Sequence, residues 1–470
     1  MGSRPRRHCE EKLDLDVGRT PALNPRIAAR FVTALTGMRT GLRESLARRP
    51  FLKNVSIMLT GAALGQSVSI LLSPVLTRLF SPQQFGILSV YTAILTIIVV
   101  MASLRYEMTL PLAASDEDAI NLAAVCGCAL VAMTALLALA AFTFPMSWAR
   151  LIWPTALSAR RVHIYCGMLV LGFFCLGAYY IVLYMATRQS AYRAIANTRI
   201  AQGVVGPLSQ IGMGLAHLGG HGLVLGSIIG QSAGTFGLLR KVLQGRGELL
   251  RAVSWPRMKA LAARYRRFPL IASWAALLDL AGGNQLLYLL VSVQFSARIA
   301  GFIFLAERIV ARPLSIVGTS ILQVFLGEAS KTVSSDPAKL KSRFYQVTTR
   351  QFGLALVWIV TANLLAAALF PLVFGAKWSE GVVYLQAMSL GYLIQAVVLP
   401  VFHTLQIMEK QALAAMWQVG RLVAAMTGFV ICTQLGVSAP GTIFCYSATQ
   451  AASCLVLFAL IAKSIQGLQR

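Results

Sequence analysis

Long apolar runs are the feature that most constrains what this chain can fold into. Runs of about 20 apolar residues recur from residue 55 to the C-terminus, and only 12% of all residues are charged. A helix of about 20 residues crosses the hydrocarbon core of a bilayer and satisfies its own backbone hydrogen bonds there. The runs do not alternate polar and apolar residues, as the strands of a membrane barrel would. The sequence therefore predicts an all-α, polytopic membrane protein.

The runs predict about 12 transmembrane helices. Their expected positions are 55–77, 85–106, 119–143, 164–187, 200–218, 221–239, 269–292, 299–326, 351–373, 381–406, 413–434 and 440–462. This spacing predicts a basic tail at 1–54, a first six-helix lobe at 55–239, a basic linker at 240–268 and a second six-helix lobe at 269–470. A short internal repeat favours two related lobes, because Phe80-Ser81 with Gly86 and Phe295-Ser296 with Gly301 share one offset.

Basic residues predict the orientation of the chain. With the N-terminus inside, the inner segments hold 32 Lys and Arg residues and the outer loops hold 6. Cytoplasmic loops carry this excess in helical membrane proteins. Both termini and the linker are therefore expected in the cytoplasm.

The linker contains apolar residues at helical spacing among basic ones. The apolar positions are Met258, Leu261, Ala262, Tyr265 and Phe268. Such a pattern is typical of a basic amphipathic helix lying on the cytoplasmic membrane surface. A solvated charged linker is the alternative.

The sequence carries none of the patterns that catalysis or a cofactor would require. The eight cysteines are scattered, without the paired spacing of a zinc site. No nucleotide-binding motif occurs, and the longest expected outer loop, 144–163, contains no Asp or Glu that could act as a general base. Nucleic acid is not expected as a partner, because the basic residues fall mainly between spans, where they set topology and contact anionic lipids. We expect no enzyme, no cofactor and no metal.

Ionisable residues deep within spans are the best candidates for a site, because a charge is costly in lipid. They are Asp279, Glu307, Arg308, Arg312 and Arg421. One interpretation is a cationic cavity for an anionic headgroup, since arginine binds phosphate oxygens bidentately. Asp279 and Glu307 would then serve coupling or gating. The other interpretation is a set of internal ion pairs, with Asp279 or Glu307 bound to Arg421.

Five segments, in order, resemble those of bacterial polysaccharide repeat-unit flippases, which belong to the multidrug/oligosaccharidyl-lipid/polysaccharide exporter superfamily. The segments are 74–82 (PVLTRLFSP) with 85–86, 102–107 (ASLRYE) with the acidic loop 116–118, 264–269 (RYRRFP), 325–329 (FLGEA) and 374–378 (FGAKW). Together the resemblance covers about 51–463, nearly everything except the tail.

The resemblance implies a V-shaped pair of six-helix lobes that works by alternating access. It implies an oligosaccharide joined through diphosphate to undecaprenol as the substrate, moved from the cytoplasmic to the periplasmic leaflet. It also implies a cationic central cavity. Arg78 and Arg308 lie in matching segments and are carried over as substrate-binding residues, whereas Arg312 and Arg421 rest on their depth alone. Membrane lipids, a polysaccharide polymerase and chain-length proteins are the candidate partners.

Three alternatives remain open. A peptidoglycan-precursor flippase resembles a fourteen-span design, and an exporter of cationic drugs would be expected to have an acidic cavity. A membrane polysaccharide polymerase or ligase would be expected to have a large periplasmic loop with acidic and basic residues.

Overall fold

The computed structural model describes residues 50–144, 159–245, 247–274, 276–277, 283–333 and 336–467. These residues are almost entirely helical and contain no strand. Asp279 and most of the expected tail and outer loop 144–163 lie outside the described residues. The helical class predicted from the apolar runs is confirmed.

The described residues before 265 form nine α-helices. They are α1 Pro50–Leu71, α2 Ser73–Leu79, α3 Pro82–Ile98, α4 Asp116–Thr143, α5 Ala159–Arg188, α6 Tyr192–Leu215, α7 Gly219–Ser232, α8 Thr235–Leu243 and α9 Trp255–Arg264. Short 3₁₀ segments cover Val99–Met101, Tyr106–Leu112 and Gly247–Ala252. The acidic segment 116–118, expected as a loop, is instead the first turn of α4, because Ser115 accepts a hydrogen bond from the backbone N–H of Asp118 and caps the helix.

Eight more α-helices lie in the described part of the chain after residue 283. They are α10 Asn284–Gln294, α11 Ala297–Ala306, α12 Arg312–Thr332, α13 Pro337–Leu369, α14 Gly381–Val398, α15 Thr404–Ile407, α16 Gln411–Gln434 and α17 Ala439–Gly467. Wider π-helical turns occupy Phe268–Ala272, Glu307–Ala311 and Phe370–Phe374. Short 3₁₀ segments cover Ala376–Trp378 and Leu399–Val401.

Ten helical segments in the described part of the chain are long and apolar enough to cross a membrane. The expected count of about 12 is therefore not confirmed. Helix α6, which covers the expected span 200–218, is not among the ten, because glutamines and glycines lower its hydropathy. Within the expected span 269–292, residues 275 and 278–282 lie outside the described residues.

The two copies of the internal repeat pack directly against each other. Ser81 caps α3 and Ser296 caps α11 in the same way, each accepting a hydrogen bond from the N–H three residues later. A Cβ at Gly86 would collide with the carbonyl of Ala297, and a Cβ at Gly301 would collide with the carbonyl of Pro82. Gly86 and Gly301 are equivalent positions of the repeat, and so are Pro82 and Ala297. Swapping the two copies therefore turns one contact into the other, as a two-fold relation between α3 and α11 requires. Glycine is needed at both positions because the two backbones touch.

One cluster of buried apolar residues spans this contact, whereas two separate clusters lie at the opposite ends of the helices. One buried cluster joins residues of both repeats, including Phe85, Leu88, Phe302 and Leu305. At the far ends of α3 and α12, one cluster is built only from residues before 266 and another only from residues after 324. The helices are thus held together at the end that carries Ser81 and Ser296.

The amphipathic segment of the expected linker forms α9. Its Met258 and Leu261 are buried, and Leu261 belongs to the same apolar cluster as residues of α4. Arg257 pairs with Asp118 at 2.7 Å. The hydroxyl of Tyr106 donates to the carbonyl of Ala262 at 3.1 Å. Met258 and Leu261 of α9 are therefore covered by protein.

Candidate functional site

A wide turn interrupts the long helix that carries the deep charged residues. Residues Glu307–Ala311 form a π-helical turn between α11 and α12, and the N–H of Arg312 donates to the carbonyl of Glu307. Pro313 follows this turn. Proline has no N–H and its ring crowds the carbonyl of the preceding turn, which favours a local widening of the helix. Such π turns frequently occur at functional sites, and this one carries Glu307 and Arg308, with Arg312 directly after it.

Glu307 lies at the centre of a buried polar cluster. Its Oε2 accepts a short hydrogen bond from the hydroxyl of Tyr288 and one of 3.2 Å from the amide of Asn284. Its Oε1 lies 3.6 Å from Nε of Arg312. A buried carboxylate requires such partners, because an unpaired charge is costly there. The ion pair of Glu307 therefore forms with Arg312, and not with Arg421 as one interpretation of the sequence expected.

Arg308 reaches across to α1. One of its guanidinium nitrogens, Nη2, donates to the carbonyl oxygen of Ser69 at 2.9 Å and to its hydroxyl at 2.6 Å. No carboxylate in the described part of the chain lies within ion-pair distance of Arg308. Because a guanidinium has five N–H donors, this side chain is held in place while retaining positive charge and donors for an anion.

A cavity of about 260 Å³ opens where Arg308 meets α1. Its wall is formed by α1, α3, α6, α7 and the segment around the π turn. The lining residues are mostly polar: Gln66, Ser69, Thr92, Gln202, Gln210, Ser227, Gln231, Glu307, Arg308 and Arg312, with Leu88, Gly206, Pro207, Gly230 and Phe304. The cavity therefore joins two arginines to a surface of amides and hydroxyls.

A second cavity, of about 350 Å³, lies on the other side of the Glu307–Arg312 pair. Asn284, Gln285, Ser315, Tyr392 and Gln395 provide its polar wall. Glu307 and Arg312 line both cavities. The ion pair thus forms part of the wall of both spaces.

The predicted site residues do not all meet in one place. The structure brings Arg308, Arg312 and Glu307 together at the first cavity. Arg78 is exposed at the end of α2, and its carbonyl accepts a hydrogen bond from Lys377 at 3.0 Å. The guanidinium of Arg421 lies 4.8 Å above the ring of Trp417 on its own helix. Neither Arg78 nor Arg421 lines either of these cavities.

Reasoning from the sequence missed the amides of the cavity. Only ionisable residues within spans were considered as candidates, so Gln66, Gln202, Gln210 and Gln231 were passed over. Their signal was present, because glutamine within an apolar helix marks a packed or water-lined surface. All four also lie within two residues of a glycine or a proline.

Two of the resembling segments form the closed end of the structure. Trp378 is fully buried, and its indole N–H donates to the carbonyl of Thr77 at 2.9 Å. The rings of Phe85 and Phe302 meet the indole edge-on, with centroids 5.0 and 5.9 Å away. We call this contact, together with the pairs Gly86–Ala297 and Gly301–Pro82, the seam. The seam closes the molecule at one end, beyond the cavity.

The sequence matches a polysaccharide biosynthesis protein family over residues 75–383. The chain belongs to this family. The resemblance read from the five segments is thereby confirmed. A comparison with curated proteins gives no match.

Several solved structures share the fold of this polysaccharide biosynthesis protein at low sequence identity. The lipid II flippase MurJ, in an inward closed conformation, is 10% identical with a TM-score of 0.65, covering 87% of this chain and 89% of MurJ. An inward-facing multidrug resistance MATE family transporter of the MOP superfamily is 14% identical with a TM-score of 0.61, covering 88% and 99%. A MOP superfamily transporter from Pyrococcus furiosus is 12% identical with a TM-score of 0.62, covering 89% and 97%. The chain is thus a multi-pass membrane protein with the fold of these transporters.

Proposed function

We propose that this protein flips an undecaprenyl-diphosphate-linked oligosaccharide repeat unit from the cytoplasmic to the periplasmic leaflet of the bacterial inner membrane. The observation that carries the proposal is Arg308, a half-buried guanidinium held by Ser69 at a polar cavity, with no carboxylate partner among the described residues. Arg312 lines the same cavity and forms an ion pair with Glu307. Membership of a polysaccharide biosynthesis family supports a glycan as the cargo.

The proposed mechanism is alternating access between two lobes, 55–239 and 269–470, joined by the segment 240–268. The excess of basic residues in the segments assigned to the inside supports cytoplasmic termini. The seam then faces the periplasm, and the split apolar clusters lie towards the cytoplasm. In this orientation the structure is closed to the periplasm, the state that would receive a lipid-linked substrate from the cytoplasmic leaflet.

The energy source in this proposal is proton or cation coupling through Glu307 or Asp279. Glu307 would be protonated in one state of the transport cycle and paired with Arg312 in the other. A polysaccharide polymerase and chain-length proteins would receive the product on the periplasmic side.

Arg308 provides the test. Arg308→Ala should weaken the binding of undecaprenyl diphosphate to purified protein in nanodiscs about tenfold, since a hydrogen bond to a charged group contributes about 1.5–3 kcal/mol. Arg308→Lys should restore little of the lost affinity, because an ammonium lacks the planar fork of a guanidinium. Polymer export in a deletion strain should fall in parallel.

Two matched variants distinguish binding from structural support. Ser69→Ala removes the hydroxyl partner of Arg308 but not its charge, and Arg350→Ala removes an exposed arginine outside the cavity. Both should bind the lipid within about twofold of wild type. A well-inserted, thermally stable Arg308→Ala protein with wild-type binding and export would refute the proposal.

A peptidoglycan-precursor flippase is the second candidate, favoured by the similarity of the fold to MurJ. The discriminating experiment is rescue of cells depleted of their lipid II flippase. Rescue of growth by this chain would favour the second candidate, whereas restoration of surface polymer alone would favour the first. The family and fold, which are those of transporters, give no support to a polymerase or ligase.

A further inference from the structure

Helices α1, α6 and α7 approach each other so closely that their backbones touch. A Cβ at Gly203 would overlap Gly65, and a Cβ at Gly230 would overlap Gly206. Three of these four glycines have a glutamine as immediate neighbour: Gln66, Gln202 and Gln231. All three glutamines line the cavity beside Arg308. Close packing therefore leaves no room for lipid between the helices and turns these amides towards a shared space.

The hydrogen-bonding capacity of these amides is only partly used by the protein. Gln202 donates to the backbone carbonyl of Gln231 at 2.8 Å, and Gln231 donates to the hydroxyl of Ser227 at 2.9 Å. Gln66 makes no hydrogen bond to any other described residue. Among the described residues, no group donates a hydrogen bond to the side-chain oxygen of Gln66 or Gln231.

Gln210 adds a deeply buried member to this surface. Its side chain is 5% exposed, and its Nε2 donates to the carbonyl of Leu223 at 3.1 Å. No described group donates to its side-chain oxygen. We call Gln66, Gln202, Gln210 and Gln231 the glutamine wall. Because Gln210 lines the cavity, this oxygen can accept a hydrogen bond from a ligand or a water molecule there.

We propose that the glutamine wall is the subsite for the first sugar of the lipid-linked oligosaccharide. This inference rests on the proposed function and specifies where the glycan lies in the same cavity. Amide side chains offer neutral donors and acceptors together, the chemistry that sugar hydroxyl and acetamido groups require. The wall carries no charge, so it would not compete with Arg308 for the diphosphate.

The geometry places this subsite next to the phosphate-binding group. Gln66 and Ser69 are three residues apart and share one face of α1. Arg308 is hydrogen-bonded to Ser69, so its guanidinium lies about one helical turn from the amide of Gln66. The first sugar follows directly after the diphosphate in the substrate. A cavity of about 260 Å³ is slightly smaller than typical ligand pockets, of roughly 300–1,000 Å³, and thus suits one sugar rather than a whole repeat unit.

The test compares two lipids that differ by one sugar. Wild-type protein in nanodiscs should bind undecaprenyl-diphosphate N-acetylglucosamine about three- to tenfold more tightly than undecaprenyl diphosphate, as one or two net hydrogen bonds would give. Gln66→Leu with Gln231→Leu should abolish this preference and leave the affinity for undecaprenyl diphosphate within about twofold of wild type. Gln66→Asn tests whether a shorter amide keeps part of the preference.

The controls separate this inference from the proposed function. Gln434→Leu changes an exposed glutamine at the end of α16 and should keep the sugar preference. Arg308→Ala should weaken both lipids equally. If neither lipid binds to wild type, the proposed function fails and the subsite fails with it. If undecaprenyl diphosphate binds but wild type shows no sugar preference, or if thermally stable glutamine variants retain it, only the subsite is refuted.

Discussion

Glu307 is the residue on which most of the polar contacts at the site converge. It accepts hydrogen bonds from Tyr288 and Asn284 and pairs with Arg312, so three side chains depend on its carboxylate. Tyr288 is fully buried, whereas the side chain of Arg312 is 41% exposed. Solvent reduces the contribution of the ion pair, and the two hydrogen bonds therefore account for most of the stabilisation.

We predict that Glu307→Ala lowers the stability of the protein by on the order of 2–3 kcal/mol, because it leaves the hydroxyl of Tyr288 and the amide of Asn284 without an acceptor. Glu307→Gln keeps one acceptor oxygen and should lose only about 1 kcal/mol. Thermal unfolding in detergent measures both. Tyr288→Phe is the matched control and should resemble Glu307→Gln. Equal melting temperatures for Glu307→Ala and wild type would contradict the prediction.

At the scale of helices, the seam is the contact that closes one end of the molecule. Helices α3 and α11 meet through Gly86 and Gly301, where neither backbone has room for a side chain. Trp378 fills the adjacent space and contacts both helices. The contact can close only while both glycines remain, and it buries no charged group that would hold it shut.

We predict that Gly86→Val shifts the protein towards a conformation open at the seam, because the added side chain would meet the carbonyl of Ala297. Spin labels at the exposed positions Gln83 and Ser379 should move apart, as measured by electron paramagnetic resonance. Gly353→Val is the matched control, since a Cβ there meets nothing within 4 Å. An unchanged label distance in a folded Gly86→Val protein would show that the seam tolerates a side chain.

Charge is distributed over the whole molecule in a way that assigns an orientation to the seam. The segment around α9 carries nine basic residues between 240 and 268, whereas the turn at Trp378 carries Lys377. Basic residues remain on the cytoplasmic side during insertion. This asymmetry, and not the seam itself, is the basis of our proposal that the closed end is periplasmic.

We predict that Trp255→Cys reacts with an impermeant maleimide only in inside-out vesicles, and that Ser379→Cys reacts only from the periplasmic side. Both positions are exposed. The eight native cysteines are replaced beforehand, and the unsubstituted background serves as the control. Periplasmic labelling of Trp255→Cys would reverse the orientation and place the seam at the cytoplasmic face.

The sequence by itself determined the helical class, the membrane solvent and the family. These properties are encoded locally, because an apolar run of sufficient length must form a helix in lipid wherever it lies in the chain. It also identified Arg308, Arg312 and Glu307, since a charge within an apolar run is visible without knowledge of its neighbours. The repeat at Gly86 and Gly301 was visible too, although not that its two copies touch.

Only the tertiary structure decided which of these residues share a site. Glu307 pairs with Arg312 rather than Arg421 because a π turn before Pro313 presents both to one space. Arg308 bonds to Ser69, 239 residues earlier in the chain, and no local pattern encodes that contact. The glutamines that weaken α6 as a predicted span line a cavity whose other walls come from distant helices. A polar residue in an apolar run can be assigned to a cavity only when the fold shows which surface it faces.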